Sequence, residues 1–169
     1  SEEKRLTGGT KAINKGLDMA DSAGFDYVTR LDHDDKWAPN HLELLAKAYS
    51  QFPNLGFVFT QGKKKIDATN STGGYMMMPD ASPELDIDNK GYATGNTASS
   101  ACSWCPKLIG KFRYRNPAAQ KSTEPKQKKT VAGDVDIFGR MMKAIKDKKH
   151  KYMFIPKMTV YHRNRKGKF

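Results

Sequence analysis

Three carboxylates surround one histidine in the stretch FDYVTRLDHDDKWAPNHLELL, which spans residues 25–45. Two ionised carboxylates about 4 Å apart repel by roughly 4 kcal/mol at an effective dielectric constant near 20. A divalent cation would remove this repulsion, so the cluster of Asp32, Asp34 and Asp35 indicates a metal site. In an extended segment, residues i and i+2 stand roughly 6.5 Å apart, whereas two oxygens on one metal ion lie within about 4.2 Å. Unless the backbone turns sharply at His33, we expect one aspartate to bind the metal and the other a nearby hydroxyl. The alternative is an Asp-rich loop that caps the helix opened by Pro39.

A second candidate is the stretch LTGGTKAIN, residues 6–14, in which two glycines precede a helix start with Lys11 in its first turn. Backbone N–H groups at the positive end of a helix dipole favour phosphate binding. The spacing matches neither the P-loop nor the dinucleotide fingerprint, and a plain turn with a helix cap explains the same residues.

Two further candidates lie near the C-terminus. Gly133 and Asp134 open a Met-rich helix, where an aspartate serves either as a general base or as an N-cap. His162 ends the last predicted strand and precedes a basic tail that begins at Arg163. A neutral imidazole completes a metal site and arginine binds phosphate oxygens, although a basic tail is also typical of solvated surface.

Helices and strands alternate in the first part of the chain. Apolar spacing predicts a helix from Thr10 that stops at Gly24, then a strand at 25–31. Pro39 opens a second helix, whose shared face consists of Leu42, Leu45, Ala46 and Tyr49. The stretch LGFVFT, residues 55–60, follows as another strand. This alternation favours an α/β domain with parallel strands.

The second part of the chain is less regular. Residues 61–95 predict a long loop or an irregular hairpin, and residues 111–129 a mobile basic segment. Strands are expected at 97–105, where Cys102 and Cys105 pack as small apolar residues rather than as a redox pair, and at 152–161. Between these strands, a helix is expected to start near residue 133. Its buried face follows the i, i+3, i+4, i+7 pattern and consists of Phe138, Met141, Met142 and Ile145.

Composition limits the class of protein. The 169 residues predict one domain, 1–169, and the net charge of +12 attracts anionic partners. No apolar run is long enough for a transmembrane span, and no signal peptide is visible. Two cysteines alone are too few for a structural zinc. We therefore expect a soluble protein in a reducing, cytoplasmic setting, which would be the host cytoplasm for a viral protein.

The order of these signals along the chain is more informative about the class of protein than any one signal alone. The runs AINKGL (12–17), LDHDDKWAP (31–39), SSACSW (99–104) and GDVDIFGR (133–140), followed by a late histidine, resemble the family 2 glycosyltransferases of the GT-A fold. The resemblance spans residues 8–162 and extends to glycosyltransferase domains of large DNA viruses of algae. It implies a Rossmann-like α/β domain with a mixed, mostly parallel sheet flanked by helices.

The resemblance also implies roles. Asp32 corresponds to the aspartate that approaches the nucleotide ribose, Asp34 to the one that holds Mn²⁺ or Mg²⁺ on the diphosphate, and Asp134 to the base that deprotonates the acceptor. His162 corresponds to a late histidine of the metal shell. The residues expected around the nucleotide-sugar are Gly9, Lys11, Asp32, His33, Asp34 and Arg163.

Three departures from the family pattern matter. Ile13 occupies a position where the family has arginine, so the phosphate contact is expected to move to Lys11 or Arg5. Gly133 replaces an acidic residue before the base. The family begins with a strand and a loop that cradle the nucleotide base, and nothing before Ser1 corresponds to them. We therefore expect the sheet to lack its first strands or to receive them from a segment outside this sequence.

The resulting hypothesis is a metal-dependent, inverting glycosyltransferase that uses a UDP-sugar and a glycan or other hydroxyl acceptor. One alternative is a nucleic-acid-binding module built on the lysine-rich loops, which leaves the acidic cluster unexplained. The other is a metal-dependent phosphohydrolase or nucleotidyltransferase that uses the same aspartates. Neither alternative explains the order of all four signals, and no nucleic-acid partner is expected.

Overall fold

The computed structural model describes residues 9–65, 75–78, 99–115 and 133–162. The helices in these ranges are α1 (Thr10–Ser22), α2 (His41–Gln51), α3 (Pro106–Ile109) and α4 (Gly133–Asp147), with a 3₁₀ turn at Ser99–Ala101. The strands are β1 (Val28–Thr29), β2 (Asp35–Trp37), β3 (Leu55–Lys65), β4 (Tyr75–Met78), β5 (Cys102–Trp104) and β6 (Lys151–His162).

The strands form one mixed sheet in the order β1-β5-β3-β6-β2, with β4 paired to the end of β3. The long strands β3 and β6 are parallel. The pairs β1–β5, β3–β5, β3–β4 and β2–β6 are antiparallel. The strands β1, β3 and β6 therefore run in one direction, and β2, β4 and β5 run in the opposite direction.

The mixed α/β fold predicted from the sequence is confirmed, but parallel pairing does not predominate among the described strands. The alternation of helices and strands sets β1 and β3 in the same direction, as expected. It does not make them neighbours, because β5 lies between them and is antiparallel to both. In the part of the sheet that is described, β1 is an edge strand with β5 as its partner.

The core lies on both faces of β3. Phe57 and Phe59 contribute to a large cluster with residues of α1 and α4, including Leu17 and Met141. Val58 points to the opposite face and joins a second cluster with residues of α2. Since successive strand residues alternate between faces, LGFVFT is apolar without a break because both faces are covered.

The predicted buried face of α2 needs correction. The buried residues are His41, Leu45, Ala48 and Tyr49, whereas Leu42 is 53% exposed and Ala46 is also exposed. The helix begins at His41, whose ring stacks on Trp37 with centroids 4.6 Å apart. The buried face thus keeps Leu45 and Tyr49 but contains His41 and Ala48 in place of Leu42 and Ala46.

Other predicted elements agree with the structure to different degrees. The buried face of α4 is confirmed for Phe138, Met141, Met142 and Ile145. Within the predicted strand 97–105, residues 99–101 form a 3₁₀ turn, because Ser100 hydrogen bonds to the acidic loop. Both cysteines are buried, and burial raises the pKa of the Cys102 thiol, which fits packing.

The segment predicted to be irregular, 61–95, is described only in part. Residues 61–65 extend β3, and β4 pairs with them as an antiparallel partner, which supports the hairpin alternative. The remainder of this segment, and residues 116–132 of the basic segment, lie outside the described residues. Of the helices that are described, none has the length and apolarity needed to cross a membrane.

A buried histidine generates a prediction about acid stability. His41 Nδ1 lies 2.7 Å from Thr159 Oγ1, which itself donates to Thr60 Oγ1 at 2.7 Å. Since Thr159 uses its proton on Thr60, His41 donates from Nδ1. Burial lowers the pKa of His41 to about 4.

We expect the free energy of unfolding to fall as the pH drops from about 6.5 towards 4, because the unfolded imidazole binds a proton that the folded one excludes. The slope due to this group is about 1.4 kcal/mol per pH unit between the two pKa values. Urea denaturation of His41→Gln across this range should show a slope smaller by that amount. His33→Gln, which alters an exposed histidine, is the control; an equal change in both variants contradicts the prediction.

Candidate active site

The acidic loop follows β1 and turns back on itself. The amide of Asp35 donates to the carbonyl of Asp32 at 3.0 Å, which closes a tight turn over His33 and Asp34. Because the backbone turns at His33, the spacing of an extended strand does not apply to Asp32 and Asp34. The side chain of Asp34 is 49% exposed, that of Asp32 29% and that of Asp35 5%. The three carboxylates therefore occupy three different environments.

Arg30 joins two of the candidate carboxylates. Its Nη2 lies 2.5 Å from Asp32 Oδ1, and its Nη1 donates to Asp134 Oδ1 at 2.9 Å. Nη1 also donates to Tyr114 Oη at 2.7 Å, and the guanidinium lies over the Tyr114 ring, 5.2 Å from its centroid. A single planar cation with several donors suits such a shared contact better than a lysine would.

The charges at this junction shift each other's protonation. Burial lowers the pKa of Arg30, but Tyr114, Asp134 and Asp32 raise it by more, so its net pKa lies above the ordinary value. Burial raises the pKa of Asp32, an effect that Arg30 opposes and that Asp134 and Asp35 reinforce. The net pKa of Asp32 lies above its ordinary value because burial outweighs the opposing effect of Arg30.

Tyr114 reaches Arg30 because α1 holds the segment 111–115 in place. Asn14 donates from Nδ2 to the carbonyl of Tyr114 at 2.9 Å and accepts from the amide of Tyr114 at 2.8 Å. Arg113 pairs with Asp18 and Asp21 on the same helix. The asparagine of the AINKGL run thus positions the tyrosine that contacts Arg30.

Two aspartates in the first turn of α4 differ in their surroundings. Asp134 is 41% exposed and points to Arg30. Asp136 is 3% exposed and pairs with Arg140 at 2.7 Å. The contact of Asp134 with Arg30 places it beside Asp32, whereas Asp136 stabilises the packing of α4. Only Asp134 has both the position and the exposure that proton transfer to a bound molecule requires.

His162 contacts Asp35. Its Nδ1 lies 2.9 Å from Asp35 Oδ1, and the two residues are direct partners in the β2–β6 pair. Ser100 Oγ donates to Asp35 Oδ2 at 2.6 Å and accepts from the amide of Asp32 at 3.0 Å. The last strand and the acidic loop are therefore connected through Asp35 and Ser100.

A cleft of about 680 Å³ opens beside this junction. The residues that line it include the polar side chains of Arg30, Asp32 and His33, the backbone of Gly9 and the apolar side chains of Leu17 and Trp104. Of the residues predicted to surround a nucleotide-sugar, Gly9, Asp32 and His33 thus lie together. Lys11 is exposed on α1 and does not line the cleft. The other predicted site residues that do not line it are Asp34, Asp134 and His162. Arg163 and Arg5 lie outside the described residues.

The residues present fit a metal ion whose coordination a bound diphosphate would complete. Among the described residues, no group of three His, Cys, Asp or Glu side chains forms a ready metal cage. His162 Nε2, however, is buried without a hydrogen-bond partner in the part of the chain that is described. Asp34 is partly exposed and is the residue before Asp35, which contacts His162. Mg²⁺ typically binds one or two protein carboxylates together with substrate phosphates and water.

Comparison with known proteins agrees with this geometry. The family model described as "Glycosyl transferase family 2" matches residues 1–109, and the chain belongs to that family. The match contains the acidic loop, Arg30 and Ser100. Asp134 and His162 lie beyond it, and their place at the site depends on their contacts with Arg30 and Asp35.

A relative among curated proteins is the "Uncharacterized glycosyltransferase R139" of Acanthamoeba polyphaga mimivirus. The two are 43% identical over 53 residues, which is 31% of this chain and 21% of the relative. The chain therefore spans about a fifth of the length of that relative. The relative comes from a virus, and the predicted similarity to algal viruses stays a prediction.

Sequence reasoning did not identify four residues of this site: Arg30, Asp35, Ser100 and Tyr114. Asp35 belonged to the acidic cluster, yet no separate role followed from its position. Arg30 had one available signal, because an arginine near the end of a predicted strand needs a partner when its side chain is buried. Ser100 and Tyr114 carry no local pattern that distinguishes them.

We expect Arg30→Gln to destabilise the protein by about 2 kcal/mol, because it leaves two partly buried carboxylates without their shared cation. The control is Arg113→Gln, since Arg113 also bridges two aspartates but at a more exposed position, where a loss of about 1 kcal/mol or less is expected. Urea denaturation measures both values. NMR titration of Asp32 should also show a higher carboxyl pKa in Arg30→Gln. Equal losses in the two variants, with Asp32 unchanged, would contradict the role of Arg30.

Proposed function

We propose that this chain transfers a sugar from a nucleotide-diphosphate donor, most simply a UDP-sugar, to an acceptor hydroxyl with inversion, assisted by Mn²⁺ or Mg²⁺. Sugar transfer in general follows from membership of glycosyl transferase family 2. The donor, the stereochemistry and the metal are the proposed parts.

The observation that carries the proposal is the shared contact of Arg30 with Asp32 and Asp134. Arg30 and Asp134 are 104 residues apart in sequence, yet one guanidinium holds Asp134 beside the acidic loop. The arrangement puts a candidate hydroxyl-binding carboxylate, Asp32, next to a candidate base. A donor with its ribose at Asp32 and an acceptor hydroxyl at Asp134 would be held in one site, which favours a displacement reaction between them.

In the proposed reaction, Asp134 accepts the proton of the acceptor hydroxyl while that oxygen attacks the anomeric carbon of the sugar. The new bond joins the acceptor oxygen to the anomeric carbon, and the bond from that carbon to the diphosphate oxygen breaks. Attack opposite the leaving group inverts the configuration. Arg30 engages Oδ1 of Asp134, so it fixes the orientation of the carboxylate.

The chain's other residues act on the donor. Asp32 would accept hydrogen bonds from the ribose, and the backbone at Gly9 lines the same cleft. A divalent cation, held by Asp34 and His162, would supply charge neutralisation for the leaving diphosphate. The net charge of +12 favours encounter with an anionic donor.

We expect UDP to bind measurably in the presence of Mn²⁺ and far more weakly without it, because the metal screens the diphosphate from Asp32, Asp34 and Asp35. Isothermal titration calorimetry with and without Mn²⁺ tests this dependence. Equal, negligible heats in both conditions would count against a nucleotide-sugar site. Strongly salt-dependent binding to generic DNA in the same buffer would instead favour a nucleic-acid-binding module.

We expect Asp134→Asn to lower the transfer rate at least about 100-fold, because the amide cannot accept the hydroxyl proton. UDP affinity should stay nearly unchanged, since Asp134 does not contact the donor in this scheme. A nucleotide-sugar screen with Mn²⁺ identifies the donor, and release of UDP then measures the rate. The matched control is Asp136→Asn, which alters a buried carboxylate of the same helix and should lower stability but not the rate per folded molecule. Loss of UDP affinity in Asp134→Asn would indicate a structural role for Asp134.

A further inference from the structure

Asp35, Ser100 and His162 form a polar network. Of the three, only His162 has a role in the proposed reaction. Asp35 is 5% exposed and Ser100 is fully buried, so neither is placed to contact a bound molecule extensively. Both nevertheless connect directly to candidate site groups. Asp35 contacts His162, and Ser100 accepts from the amide of Asp32.

The directions of the hydrogen bonds define the state of His162. Ser100 accepts from the Asp32 amide and gives its single proton to Asp35 Oδ2. The other oxygen of Asp35 lies 2.9 Å from His162 Nδ1, and a carboxylate can only accept there. Nδ1 of the imidazole therefore carries a proton, and in the neutral ring Nε2 is the nitrogen that can act as a ligand.

Within the described part of the chain, His162 Nε2 is an unsatisfied polar atom with a glycine as a close neighbour. His162 Nε2 is buried and has no hydrogen-bond partner among residues 9–65, 75–78, 99–115 and 133–162. On the adjacent strand, a Cβ built on Gly62 would lie 3.3 Å from Nε2, which is tighter than ordinary van der Waals contact. The glycine thus leaves the edge of the ring uncrowded.

A comparison with His41 shows which features matter. His41 also lacks a partner at Nε2, but its ring is fully buried, stacks on Trp37 and is oriented by a threonine hydroxyl. His162 differs because a carboxylate orients it and its side chain is 15% exposed. Histidines that bind metals almost always donate their other N–H to such a partner, which raises the basicity of the ligating nitrogen.

We infer that Asp35, supported by Ser100, is a positioning residue that holds His162 with Nε2 available as a ligand for the divalent cation. This inference rests on the proposed function, which supplies the cation. It assigns the third aspartate of the acidic loop to the orientation of His162 rather than to the metal itself. Gly62 lets β3 pass close to Nε2 without a side chain pressing on the ring.

The test uses Mn²⁺ together with UDP as the probe. Pulsed electron paramagnetic resonance detects a ¹⁴N nucleus bound to Mn²⁺, and the same titration gives the Mn²⁺ affinity. We expect a nitrogen coupling in the wild-type protein that disappears in His162→Gln and persists in His41→Gln. We expect Asp35→Asn to weaken Mn²⁺ affinity about 10- to 100-fold, and Ser100→Ala to weaken it less.

Gly62→Ala separates a positioning role from a general loss of structure. Alanine suits a strand interior better than glycine, so we expect the thermal unfolding temperature of the variant to stay within a few degrees of the wild-type value. Its Cβ would nevertheless press on Nε2, and we expect a reduced nitrogen coupling and lower Mn²⁺ affinity. Asp136→Asn is the control for the loss of a buried carboxylate, and it should retain the coupling.

The outcomes distinguish the inference from the proposed function. If Mn²⁺ and UDP bind together without a nitrogen coupling, or if Asp35→Asn and Gly62→Ala retain wild-type Mn²⁺ affinity, the positioning role is wrong while metal-dependent sugar transfer still stands. If Mn²⁺ and UDP do not bind at all, both are overturned. A coupling that requires His162, weakens in Asp35→Asn and Gly62→Ala, and survives in both controls supports the inference.

Discussion

The site depends on one guanidinium shared between two carboxylates. Asp32 and Asp134 are both partly shielded from water and would repel each other without the cation of Arg30. The contact requires three separate parts of the chain to converge: the end of β1, the first turn of α4 and the segment that carries Tyr114. Asn14 fixes that segment through a pair of hydrogen bonds to one backbone residue. A side chain on α1, remote from the carboxylates, thereby helps to define their geometry.

The remaining site residues also lie at the ends of regular elements. Asp35 is the first residue of β2, His162 the last residue of β6, and Asp134 the second residue of α4. Between these ends, β3 is buried on both faces and gives the elements a common rigid support. This division is physically reasonable, because charged groups need access to solvent and ligand, whereas their positions need a dense apolar core.

Much of the fold could be predicted from the sequence because it depends on local patterns. The 3.6-residue period of α4 and the uninterrupted apolar run of β3 each reflect the surfaces that they bury. The position of β5 between β1 and β3 could not be predicted, since strand order is set by contacts between distant segments. The same limit applies to the site. Asp32, Asp34 and Asp134 carry recognisable motifs, whereas Arg30 and Ser100 depend on contacts with distant partners, Asp134 at 104 residues from Arg30 and Asp32 at 68 residues from Ser100.

Asp35 and His162 are directly paired residues in the antiparallel ladder of β2 and β6. Side chains on adjacent strand positions point to opposite faces, so a shift of β2 by one residue would set Asp35 opposite Tyr161 and break the dyad. Misaligned molecules could then retain secondary structure and compactness but would lack an oriented histidine. The fraction of active molecules after refolding therefore reports the correct alignment of β2 and β6, which circular dichroism does not resolve.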